Sequence, residues 1–127
     1  MEKFGKEYKL CSRKKIQLLF SQGLQTRSFP FTLYTTIEKE EHSVPFQIVI
    51  SVPKRIWKKA HDRNAIKRLL KESIRKNKHE FENFLTNKGI RINLCIIYTH
   101  SEKFSFIEVE KYINKAFKKI EASLMEG

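Results

Sequence analysis

The run "GIRINLCIIYTH", residues 89 to 100, constrains the fold more than any other stretch of the chain. The run is almost continuously apolar after Gly89, which suits a central strand covered on both faces. Two further segments read as strands. "FPFTLYTTIE" sets Phe31, Leu33 and Thr35 in alternation with Thr32, Tyr34 and Thr36, the period of a half-buried strand. "VPFQIVISVP" is its expected antiparallel partner, because the polar "KEEHS" between them reads as a short hairpin-like turn. Pro53 ends that strand, since it cannot donate to a ladder.

Helical patterns surround these strands. "SRKKIQLLFSQG" opens on Ser12 as an N-cap and closes on Gly23, with Ile16, Leu19 and Phe20 on one face. Residues from Trp57 to about Phe84 read as one long helix. The last segment, "SFIEVEKYINKAFKKIEASLM", spaces Ile107, Tyr112, Ile113, Phe117, Ile120 and Leu124 helically. The order is α-β-β-α-β-α, with room for a third strand if residues 29 to 53 subdivide. A chain of 127 residues suits one compact domain. The expectation is an α+β sandwich in a single domain, residues 1–127, with about the first eight residues loose.

Charge narrows the possible partners. Lys and Arg number 26 against 14 Asp and Glu, a formal +12, which favours nucleic acid first and an acidic membrane surface second. No apolar run has the length of a membrane span, and the N-terminus lacks the apolar core of a signal peptide, so a soluble cytoplasmic protein is expected. Cys11 and Cys95 form no CxxC pair, and Cys95 within "INLCIIY" reads as a buried thiol. His42, His61, His79 and His100 are scattered, and no protein-bound metal site is expected.

The basic character concentrates in residues 54 to 78, which hold eleven Lys or Arg against Asp62 and Glu72, a net +9. On a helix, Arg63, Lys67, Arg68, Lys71, Arg75 and Lys78 fall within an arc of roughly 140°. Ile66, Leu69, Leu70 and Ile74 occupy the neighbouring arc and face a core. Arg63, Lys67, Lys71 and Arg75 form an i,i+4 ladder of like charges, each step costing some tenths of a kcal/mol. A phosphate-bearing partner relieves that repulsion. A membrane-surface helix needs its apolar face free for lipid, whereas this face must cover the sheet. Asn64 adds a donor and an acceptor suited to a base edge or ribose hydroxyl, although a polar residue near a helix start is also ordinary.

The stretch from Ala60 through Arg63, Asn64, Lys67, Arg68, Lys71 and Glu72 to Arg75 resembles the RNR motif of the bacterial ribonuclease P protein component. The likeness continues in "KLCSRKKIQLLFSQG", "FTLYTT" and "VISVPKRIWKKA". Three positions depart from the family's pattern. Lys71 stands where arginine is usual, keeping the charge and losing the bidentate fork; Ile16 stands where an aromatic is common; Pro53 replaces a small polar residue. The resemblance implies an αβββαβα two-layer sandwich, similar to one domain of a small-subunit ribosomal protein, with a left-handed βαβ crossover that breaks the usual rule.

It also implies a function: the protein component of an endoribonuclease that frees the tRNA 5′ end. In this family the RNA subunit carries out the hydrolysis with bound Mg2+, and the protein alone binds no cofactor. The implied partners are the catalytic RNA, in a 1:1 complex with a monomeric protein, and the single-stranded 5′ leader of precursor tRNA. By that resemblance Arg63, Asn64, Lys67, Arg68, Lys71 and Arg75 face RNA, flanked by Lys54, Arg55, Lys58 and Lys59. The leader would lie in a cleft between the first helix and the sheet, touching Ile16, Phe20, Phe31 and Tyr34, as aromatic platforms with a basic rim do. Taken singly, Phe20 and Phe31 suit a core as well as a cleft. No carboxylate pair or nucleophile motif marks a catalytic site in the chain itself.

Overall fold

The structure, a computed structural model, describes residues 5–39 and 44–126. A 3-10 turn, Lys6–Tyr8, precedes α1 (Arg13–Gln22), β1 (Leu24–Ser28), β2 (Phe31–Ile37), β3 (Phe46–Ser51), α2 (Ala60–Asn77), α3 (His79–Lys88), β4 (Ile92–Tyr98) and α4 (Phe106–Glu126). The four strands form one sheet in the order β1-β2-β4-β3. β4 lies inside it, antiparallel to β2 and parallel to β3.

That order corrects the expected β2–β3 hairpin. Five consecutive residues of β4, Ile92 to Ile96, are buried. At a sheet edge they would leave backbone groups unpaired and apolar surface wet. Inserting β4 between the other two removes both costs. The "KEEHS" turn falls mainly on residues 40–43, outside the described residues. The additional strand comes from Leu24–Ser28, upstream of the region expected to subdivide. It pairs with β2 from Leu24↔Thr35 to Ser28↔Phe31, leaving only Phe29 and Pro30 in the turn.

β2 keeps the alternation read from its residues. Phe31 and Leu33 enter the larger core with Phe46, Leu94, Ile96 and Tyr98, beneath Ile66, Leu70 and Ile74 of α2 and Val109, Ile113 and Phe117 of α4. Tyr34 faces the other way, into a smaller cluster with Ile16, Leu19, Val49, Cys95 and Ile97. The sheet therefore carries α2, α3 and α4 on one face and α1 on part of the other.

A ten-residue helix such as α1 is marginal alone, so tertiary contacts must hold it. Leu19 is fully buried, contributing about 1.5–3 kcal/mol. Ser12 Oγ accepts the Lys15 N–H at 3.3 Å, and Gly23 ends the helix by donating its N–H to Leu19 O. A Cβ on Gly23 would stand 2.2 Å from that same oxygen, so only glycine fits. Lys15 also reaches Glu38 at 2.7 Å, tying α1 to the end of β2.

The long basic segment is two helices, broken at Lys78. The break turns α3 so that Phe81 stacks on Phe117 at 4.4 Å and meets Phe46 edge-on at 5.4 Å. Of the first eight residues, expected to be loose, 1–4 lie outside the described residues. Tyr8 is buried against Phe46, while Leu10 donates its N–H to Ile48 O and Gln47 Nε2 donates to Glu7 O. Residues 5–10 thus cover the outer edge of β3. In α4, Ile107 is 66% exposed and lies off the core stripe.

Candidate nucleic-acid interface

The apolar stripe of α2 sets which of its cations reach solvent. Ile66, Leu70 and Ile74 are buried, turning Asn64, Arg68 and Lys71 outward and leaving Arg63, Lys67 and Arg75 half-exposed. Lys54, Arg55, Lys58 and Lys59, in the turn before the helix, are all exposed.

The i,i+4 ladder divides into ends and middle. At one end the Arg63 guanidinium donates to Trp57 O at 2.8 Å and Lys58 O at 2.9 Å, bracing the basic turn. At the other, Arg75 clasps Glu72 at 2.6 Å, and that hydrogen bond holds the Glu72 carboxyl below its ordinary pKa. Asp62 bonds Lys103 from the loop before α4 at 2.9 Å instead of a cation of its own helix. This bond likewise lowers its pKa. Lys67 and Lys71, in the middle, make no ion pair among the described residues.

Those two lysines line a groove of about 490 Å³ whose opposite wall is Lys6 and Lys9, with Tyr8, Leu10 and Ile48–Ile50 among its apolar lining. Lys6 and Lys9 escaped the sequence reading, because their position depends on residues 5–10 docking along β3. Lys78, placed on the basic arc by the helical wheel, is only 6% exposed. Its Nζ bonds Glu82 at 2.8 Å and sits 4.9 Å from the Tyr8 ring centroid. Burial pulls its pKa down, but the Glu82 and Tyr8 contacts outweigh that and hold the ammonium above its ordinary value. The residue is a structural cation that anchors the groove's far wall.

The expected cleft brings three of its four residues together. Phe20, 52% exposed, lies 5.0 Å from the Tyr34 ring, and Ile16 packs in the same cluster. Gln25 Nε2 donates to the Tyr34 hydroxyl at 3.1 Å. Phe31 does not join them. It is 2% exposed in the opposite core, 6.1 Å from Tyr98, because residues three apart on a strand face opposite sides.

A basic helix, a lysine groove and an aromatic cleft are thus combined on one α+β scaffold, and comparison with known proteins places that scaffold. The family model for ribonuclease P matches residues 4–121. The chain belongs to the ribonuclease P family. A Porphyromonas gingivalis relative, named ribonuclease P protein component, is 26% identical over 116 residues, covering 91% of this chain and 85% of its own. The fold is similar to that of the Staphylococcus aureus RNase P protein, with TM-score 0.71 and 20% identity over 89% of this chain and 94% of that one. It is also similar to the RNase P protein from Thermotoga maritima, with TM-score 0.65 and 20% identity, covering 87% and 96%. As a ribonuclease P protein subunit, the chain carries no cluster of three or more His, Cys, Asp or Glu able to hold a metal ion among the described residues. No helix among them is long and apolar enough to cross a membrane.

Proposed function

We propose that this subunit binds the catalytic RNA of ribonuclease P and the 5′ leader of precursor tRNA, assisting RNA-catalysed, Mg2+-dependent removal of the leader in the cytoplasm. The observation that carries the reading is the groove in which Lys67 and Lys71 of α2 face Lys6 and Lys9 across an apolar floor. Cations above an apolar surface suit phosphates above unpaired bases. Arg68, Lys71 and Asn64, with Lys54, Arg55, Lys58 and Lys59, supply the exposed face toward RNA. Arg63 shapes that face by fixing the turn, and Arg75 joins it once released from Glu72. Phe20 and Tyr34, beside Ile16, offer the stacking platform.

Chemistry belongs to the RNA in this reading, with one protein monomer per RNA. Mg2+ is held by RNA phosphates in this reading, and the protein's part is to neutralise charge and hold the leader. Precursor tRNA processing at low Mg2+, with RNA and protein supplied separately and together, tests this. Stimulation only in the mixture is expected. Cleavage by the protein alone would overturn the reading, and absence of any stimulation would reduce the chain to an RNA-binding module.

A further inference from the structure

Several aromatic side chains outside the α1 cleft gather at one end of the sheet. There the β1–β2 turn, the end of β4, the turn before α2 and the start of α4 converge. Phe29, 55% exposed, lies 4.9 Å from the His100 ring, 5.4 Å from Tyr112 and 5.7 Å from Phe104. The interplanar angles are 73°, 82° and 69°, so none of the three is stacked parallel on Phe29. Trp57 and Tyr98 continue the cluster inward, 6.3 Å apart, and Trp57 Nε1–H donates to His100 O at 2.9 Å. Phe29 is therefore an exposed ring on a braced aromatic base.

Cations lie on the segments that carry its neighbours. Lys103 Nζ lies 6.0 Å from the Trp57 ring and is paired with Asp62 at 2.9 Å, whereas Lys111 and Lys115 line a surface cavity of about 420 Å³ with Tyr112, Asn114 and Glu108. Glu108 is engaged in capping α4, accepting the Ser105 N–H at 3.0 Å. Lys54, Arg55 and Lys58 flank Trp57 in sequence and are exposed. His100 accepts the Glu102 N–H on Nδ1, which puts the neutral ring's proton on Nε2 as a donor. A flat π surface within a positive rim matches a nucleobase with its flanking phosphates.

We propose that the Phe29 cluster is a second RNA-contact surface, where an unpaired nucleotide stacks on Phe29 and Lys111 and Lys115, beside Tyr112, take its phosphates. The inference rests on the RNA-binding reading above and concerns a surface apart from the α1 cleft. Tyr34 and Phe20 lie on the α1 side of the sheet, whereas Phe29 contacts the loop after β4 and the start of α4.

Trp57, the single tryptophan of the chain, provides a local reporter. The full chain is titrated with oligoadenylate and with an abasic oligomer of equal length and charge. Trp57 emission is followed alongside the anisotropy of the labelled oligomers. Oligoadenylate should change Trp57 emission saturably. Phe29→Ala should weaken that transition by roughly 5- to 150-fold, the equivalent of about 1–3 kcal/mol for one stacked base. Phe29→Tyr should stay close to the parent, and Phe29→Leu, which keeps apolar bulk without a ring, should behave like Phe29→Ala. Unchanged Trp57 emission while anisotropy reports binding would overturn the proposal, as would an undiminished Phe29→Leu or an equal response to the abasic oligomer. If anisotropy detects neither oligomer, the RNA-binding reading itself fails, and this surface with it.

Discussion

Lys67→Met removes one charge from the lysine groove while keeping an unbranched apolar stem at a half-buried position. Four lysines, Lys6, Lys9, Lys67 and Lys71, line that groove. If each neutralises one phosphate of a single-stranded leader, the groove contributes a slope of about −2.8 to log affinity against log salt, from roughly −0.7 per phosphate. A fourfold rise in salt then costs about 50-fold in affinity, and with one lysine gone the slope falls to about −2.1 and the cost to roughly 20-fold. Other cations steepen the total, but the difference between parent and variant isolates the groove. The assay is fluorescence anisotropy of a labelled leader oligonucleotide over a salt series. At low salt, Lys67→Met should also bind more weakly by about 1 kcal/mol or more. Lys88→Met, an exposed charge outside the groove lining, should leave the slope unchanged. An unaltered slope in Lys67→Met, or equal flattening in Lys88→Met, would refute phosphate binding in the groove.

Three further outcomes follow from the geometry. Tyr34→Ala should lower discrimination between precursor and mature tRNA by about 1–3 kcal/mol in competition binding; Phe31→Ala should instead lose about 3–5 kcal/mol of stability in urea, and the reverse assignment would contradict the strand's alternation. Lys78→Met leaves the Glu82 carboxylate with the Tyr8 hydroxyl alone and should cost about 2–4 kcal/mol, while adding Glu82→Leu should recover most of it; failure of that recovery would argue against the buried pair. Burial pushes the Cys95 thiol from 9.0 to about 11, so the folded state holds its proton more tightly than the unfolded one. Its contribution is complete below about pH 9 and lost as pH rises through about 11, amounting to about 3 kcal/mol. Urea midpoints across that window should fall more steeply in the parent than in Cys95→Ala, and parallel declines would show that the thiol's burial is not responsible.

Much of the candidate site was legible because its signals are local. The α2 wheel separates Ile66, Leu70 and Ile74 from Lys67 and Lys71 with helical period alone. Ser12 and Gly23 bound α1 through atoms within one turn. Phe31 and Tyr34 sit at odd spacing on β2, which puts the two on opposite faces. What escaped depends on distant partners. Lys78 is buried under Tyr8, seventy positions earlier, and Phe29 meets residues some seventy to eighty positions away.

By itself, then, the sequence determined that the apolar run within residues 89–100 is an inner strand and that α2 has one apolar and one cationic side, because periodicity and burial propensity act residue by residue. Tertiary structure decided strand order, placing β4 between β2 and β3, and set residues 5–10 along the free edge of β3. A short connection favours a hairpin locally, but the choice of neighbours goes to the arrangement that covers the most apolar surface and pairs the most backbone across the whole sheet. Only after that choice do Lys6 and Lys9 face Lys67 and Lys71, and only then is there a groove.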